Sequence, residues 1–134
     1  MKSPKGAVVA VADGEVLNLF RNVGEEAAPK LTAMPDRDVT TENAGSGGRH
    51  QSSSANPSGN QQTEDNFAAG VADVLNKGVL TGKFDQLIVI AAPRTLGELR
   101  KHYHKELSSI LVGEISKDLT GHTIDDIERT ITAA

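Results

Sequence analysis

Apolar residues along this chain fall into short β-type runs and helical stripes, separated by one long polar stretch. Residues 6–12 (Gly-Ala-Val-Val-Ala-Val-Ala) are small and β-branched and predict a buried strand. Asp13-Gly14 follows, a hairpin signal between two apolar runs. Residues 15–23 alternate Leu17 and Leu19 against Asn18 and Phe20, a second strand. A turn over 24–29 and a short strand over 30–34 complete an antiparallel meander. Residues 36–61 are rich in Gly, Ser, Asn, Thr and Gln, with Val39 the only sizeable aliphatic residue. Such a stretch buries too little to offset its ordering entropy, so a flexible loop is predicted.

Helical patterning follows. Thr63 is the expected N-cap, with Glu64 and Asp65 in the first turn, where the helix dipole favours acids. Phe67, Val71, Val74 and Leu75 keep helical spacing, and Gly78 suits a stop. Residues 86–92, centred on Leu87-Ile88-Val89-Ile90, predict another buried strand. Thr95 and Glu98 fit a capping box opening a helix with Leu96, Leu99, Tyr103 and Leu107 on one face. Leu111–Ser116 is a last strand, and Thr123 to Asp126 caps a helix containing Ile124, Ile127 and Ile131. The order βββαβαβα implies an α/β fold of ribonuclease H-like type. It has a mixed five-stranded sheet with helices on its faces, in one domain over 1–134, with strands one, three, four and five running the same way.

Composition narrows the function classes. At 134 residues, with 37% hydrophobic and 24% charged residues, the chain is an ordinary globular length and mixture. The net charge of −4 supplies no global field for duplex DNA. The aromatic content of 3% is too low for a base-stacking platform. Without cysteine there is no disulfide-linked partner and no thiol chemistry. No apolar run approaches the ~20 residues of a membrane span, and the N-terminus carries no cleavage-site pattern, so the cytoplasm is expected.

The predicted topology brings several chemical groups to one edge. Parallel strands in α/β sheets bind ligands beyond their carboxyl ends. Asp13-Gly14, the polar stretch, Pro93-Arg94-Thr95 and Lys117-Asp118 all follow such ends. A helix start offers free N–H groups to an anion, and Arg94 and Lys117 add positive charge. The same residues also read as a plain helix start, with Arg94 and Lys117 solvated or paired to Asp13 and Asp118. A two-metal nuclease needs several convergent carboxylates, and the fourth strand ends in Ala91-Ala92-Pro93 without one. Asp13 and Asp118 are all that a hydrolase could use, so no enzyme activity and no cofactor are expected. His102 and His104 diverge by roughly 200° if they share a helix, which is unsuited to one metal ion. Within the polar stretch, Gly45-Ser46-Gly47-Gly48-Arg49-His50-Gln51 stands out. Gly48 allows close approach, Arg49 could meet a phosphate and Gln51 could orient a water or base edge, although a flexible spacer has the same composition.

Ala91-Ala-Pro-Arg-Thr-Leu-Gly-Glu-Leu-Arg100, with Lys117-Asp-Leu-Thr120, resembles the bacterial host attachment protein family. Val11-Ala-Asp-Gly14, Gly48-Arg49 and Phe67-Ala68 extend the resemblance over nearly the whole chain. Members of that family look like relatives of the central domain of archaeal and eukaryotic peptide-chain release factors, which is ribonuclease H-like. That domain carries a Gly-Gly-Gln loop. Here Arg49 and His50 separate Gly48 from Gln51, so the tripeptide is absent. The edge residues and the resemblance together lead to the expectation of a non-enzymatic binding domain that contacts ribosomal RNA, tRNA or another phosphate-bearing partner. Its expected contacts are Asp13, Gly48, Arg49, Gln51, Arg94, Thr95, Lys117 and Asp118, with the two aspartates orienting the cations. The alternative it implies is an interaction protein in attachment to host cells, at the surface or through regulation.

Overall fold

In a computed structural model, which describes residues 1–35 and 57–134 (side chains of 57–61 excepted), a five-stranded sheet forms the centre of the molecule. Its strands are β1 (Val8–Ala12), β2 (Leu17–Asn22), β3 (Leu31–Ala33), β4 (Leu87–Ala91) and β5 (Leu111–Ser116), in the order β3-β2-β1-β4-β5. β2 pairs antiparallel with β1 and β3, whereas β4 is parallel to β1 and β5, so the sheet is mixed as expected. The helices are α1 (Pro57–Leu80), α2 (Pro93–Arg100), α3 (Lys105–Ile110) and α4 (Ile124–Ala133).

β1 and β4 are buried at every position because both faces of the sheet are covered. On one face Val8, Ala10, Leu87 and Val89 pack against Val71, Ala72 and Leu75 of α1, Leu96 and Leu99 of α2 and Leu107 of α3. On the other, Val9, Val11, Ile88 and Ile90 meet Ile127 and Ile131 of α4 together with Leu119. Thr123 caps α4 as its spacing predicts, accepting from the Asp126 N–H at 3.1 Å.

Three local expectations are overturned. The first helix starts at Pro57, inside the stretch expected to be a loop, so Thr63 is an interior residue and Glu64 and Asp65 lie beyond the first turn. Proline suits a first helical position, because its missing N–H has no partner there anyway. The helix also runs past Gly78, which is glycine for space: a Cβ there would lie 2.3 Å from the Phe84 ring. The turn that ends it is made by Gly82, at φ +78°.

The second correction concerns Thr95 and Glu98, which form no capping box. α2 starts at Pro93 without a side-chain cap, Thr95 is buried and Glu98 turns to Lys101. The third is that the stripe from Leu96 to Leu107 belongs to two helices. His104 is the N-cap of α3: its backbone is extended and its Nδ1 accepts from Glu106 N–H at 3.0 Å. Asn76 of α1 holds the break, accepting from His104 N–H and donating to His102 C=O, both at 2.9 Å. Neither histidine is therefore a helix-interior residue.

Candidate functional site

Register decides what meets at the carboxyl edge of the parallel strands. Ala12 pairs with Ala91, and Ala91 with Ser116, so Asp13, Ala92-Pro93 and Lys117 emerge side by side. α1 descends over the same edge. Gly14 lies against it, where a Cβ would sit 2.7 Å from Glu64 Cγ. One turn of sequence decides each of the other arrivals: β4 runs straight into α2, and burial of Leu119 in the α4-side core anchors the segment after β5.

Asp13 closes the turn between β1 and β2. Its Oδ1 accepts from the N–H groups of Glu15 and Val16, both at 2.7 Å. Its Oδ2 accepts from the Thr120 hydroxyl at 2.8 Å. Burial pushes this carboxyl up, but the bonds from Glu15, Thr120 and Val16 outweigh it and hold the group below its ordinary value. Thr120 also reaches Asp118, with Oγ1 at 2.6 Å and N–H at 3.2 Å from Oδ1. Thr120 was not a predicted site residue, although its place two positions after Asp118 is the spacing of an Asx-type turn.

Asp13, Asp118 and Lys117 thus share a rim, and Arg94 stands beside it on α2. The two aspartates do not orient the cations, because their described bonds go to Thr120 and to the backbone of the turn. Arg94 instead pairs with Asp65 of α1 at 3.4 Å. Lys117 is exposed and forms no ion pair among the described residues. Thr95, expected at the anion site, faces the core instead, 8% exposed. Gly48, Arg49 and Gln51 lie outside the described residues.

Beside the rim, Asp65, Pro93, Arg94, Gly97, Glu98 and Lys101 line an open groove of about 450 Å³ between α1 and α2. Lys101 Nζ lies 2.6 Å from Glu98 Oε1, and that bond holds the Glu98 carboxyl below its ordinary value. The ion pairs here share an orientation. Arg94 is 51% exposed over Asp65 at 29%, and Lys101 is 67% exposed over Glu98 at 17%. Arg100, at 57%, likewise lies over Glu114, at 18%. The cations are outermost, so an approaching molecule meets N–H donors first. Tyr103 donates to the same Glu114 at 3.0 Å, and burial together with that carboxylate raises its hydroxyl far above the usual range.

A second open groove, of about 570 Å³, is lined by Ala28, Pro29 and residues of α4 including Glu128 and Arg129. It flanks the turn between β2 and β3, away from the rim. Among the described residues, no group of three or more His, Asp or Glu side chains is placed to hold a metal ion, and no helix is long and apolar enough to cross a membrane.

Residues 6–131 match the bacterial archaeo-eukaryotic release factor family 12, and the chain belongs to that family. A stretch of 51 residues is 41% identical to the uncharacterized protein RP470 of Rickettsia prowazekii (strain Madrid E). It covers 38% of this chain and 34% of that relative, so the chain spans about a third of the relative's length.

Proposed function

We propose that this release-factor-family domain is a non-enzymatic cytoplasmic module that contacts RNA of the translation machinery through the carboxyl rim of its sheet. The observation that carries this reading is the placement of Arg94 and Lys117, both exposed, beside the ends of β1, β4 and β5. Lys117 has no competing ion pair among the described residues. Arg94 holds Asp65 only at 3.4 Å on the surface. An exposed pair of that kind is worth about 0–1 kcal/mol, so a phosphate can displace the carboxylate. In this reading Asp13, Thr120 and Asp118 hold the segment after β5 that presents Lys117, while α2 presents Arg94.

The test is co-sedimentation with purified bacterial ribosomes and binding to labelled ribosomal RNA at several salt concentrations. Affinity should fall with salt, and Arg94→Ala with Lys117→Ala should weaken binding and flatten the salt dependence by about 1 unit of slope per cation. Unchanged binding by the double variant, or no binding by the unaltered protein, would overturn the proposal. Recovery of the protein on the outer cell surface would do the same and would favour a direct role in attachment.

A further inference from the structure

Gly97 sits in the middle of α2, a position where glycine is disfavoured relative to alanine. Other glycines of the chain have a reason to be there. Gly82 and Gly121 adopt positive φ, and at Gly14, Gly78 and Gly113 a Cβ would run into Glu64, Phe84 or Met1. Gly97 has neither reason: its φ is not positive and a Cβ would meet nothing within 4 Å. The fold therefore does not ask for glycine at this point. The bare backbone opens into the groove between α1 and α2, midway between Arg94 and Lys101, which lie three positions before it and four after. Positions so spaced fall on one face of a helix, with the Cα atoms of Arg94 and the C-cap Lys101 about 10 Å apart along the axis.

We infer that this groove is where the phosphate backbone of an RNA strand comes closest to the protein, seated over Gly97 and clasped by Arg94 and Lys101. The inference rests on the RNA-contacting reading above and gives it a contact surface beyond the rim. Three properties of the groove fit a phosphate strand. At Gly97 no side chain projects into it, which lets a bulky backbone approach the helix at that point. Arg94 and Lys101 are its more exposed charges, each paired with a less exposed carboxylate, Asp65 or Glu98. Its lining is open and carries no aromatic ring, so it suits a sequence-independent contact to phosphate rather than base stacking.

The experiment compares Gly97→Ala, Gly97→Leu and Lys101→Ala with the unaltered chain and with Lys117→Ala. Thermal unfolding is measured beside binding to a fluorescein-labelled single-stranded RNA of mixed sequence. Gly97→Ala should raise Tm by a few degrees (~2–6 °C), because it improves helix propensity and meets no atom. Gly97→Leu should fold and bind RNA about tenfold more weakly, and Lys101→Ala should weaken binding and reduce its salt dependence. Opposite signs for stability and binding at one residue are the signature of a surface kept bare for a partner. If Lys117→Ala weakens binding while both Gly97 variants and Lys101→Ala bind normally, the groove is refuted and the rim stands. If the unaltered protein binds no RNA, both readings fall. A fall in Tm for Gly97→Ala would show that the fold itself needs glycine and would also overturn the inference. Normal RNA binding by Gly97→Leu together with lost binding to a ribosomal protein would assign the groove to a protein partner instead.

Discussion

The Thr120 hydroxyl lies 2.8 Å from Asp13 Oδ2, joining residues 107 positions apart in the chain. One proton serves two carboxylates, because Asp118 Oδ1 is also within 2.6 Å of the same oxygen. The contact ties the turn after β1 to the segment after β5, across the end of β4. It makes the turn after β1 and the segment after β5, which carries Lys117, one unit at the rim.

Breaking that tie should loosen the rim without unfolding the sheet. Thr120→Val removes the shared donor, and a loss of about 1 kcal/mol in urea unfolding is expected. Asp13→Ala also frees the N–H groups of Glu15 and Val16 and should cost about 1–2 kcal/mol. The double variant should lose less than the two losses added together, the coupling expected of groups in direct contact.

Acid should act on the same residue. The carboxyl of Asp13 is held below its ordinary value, so it is ionised more firmly in the native state than in the unfolded chain. Its contribution is complete above the unfolded carboxylate value, about 3.9, and is lost as pH falls through the lower native value. Asp13→Asn should therefore flatten the acid limb of a stability curve measured between pH 2 and 6.

Gly14 should refuse a side chain because of a single neighbour. A Cβ there would sit 2.7 Å from Glu64 Cγ, with the carboxyl carbon of Glu64 next at 2.9 Å. Gly14→Ala is expected to destabilise by an amount on the order of 1 kcal/mol. Adding Glu64→Ala should restore most of it, which a thermal melt of the pair would show.

The break between α2 and α3 depends on an imidazole acceptor. Replacing His104 by Ala should cost about 1 kcal/mol and speed amide exchange at Glu106, whose N–H loses its partner. His104→Asn, another good N-cap, should retain most of the protection. Equal exchange in all three proteins would exclude the cap.

Leu119 positions the rim by being buried between its polar neighbours. At 7% exposure it belongs to the core beneath α4. Leu119→Ala should cost about 2 kcal/mol or more and shift the amide resonances of Asp118 and Thr120.

Much of this was legible in the chain. The runs that became β1 and β4 contain almost nothing but small and β-branched residues, because both faces of a central strand are buried. The meander, the parallel return and the α4 cap follow from local chemistry, and with them the arrival of Asp13, Arg94 and Lys117 at one edge. Polar spacing was a weaker guide. Thr95 and Glu98 have the intervals of a capping box, but Pro93 can start a helix two positions earlier, and the core then claims Thr95.

What the sequence determined by itself was therefore the succession of the five strands and the edge at which their carboxyl ends gather, since both depend on residues close together in the chain. Tertiary structure alone decided the partners. Arg94 turns to Asp65 on α1, Asp13 turns to Thr120, and Gly97 opens on the groove between α1 and α2. Each of these depends on which helix lies over which strand, and contacts between distant segments are set by packing rather than by any local pattern.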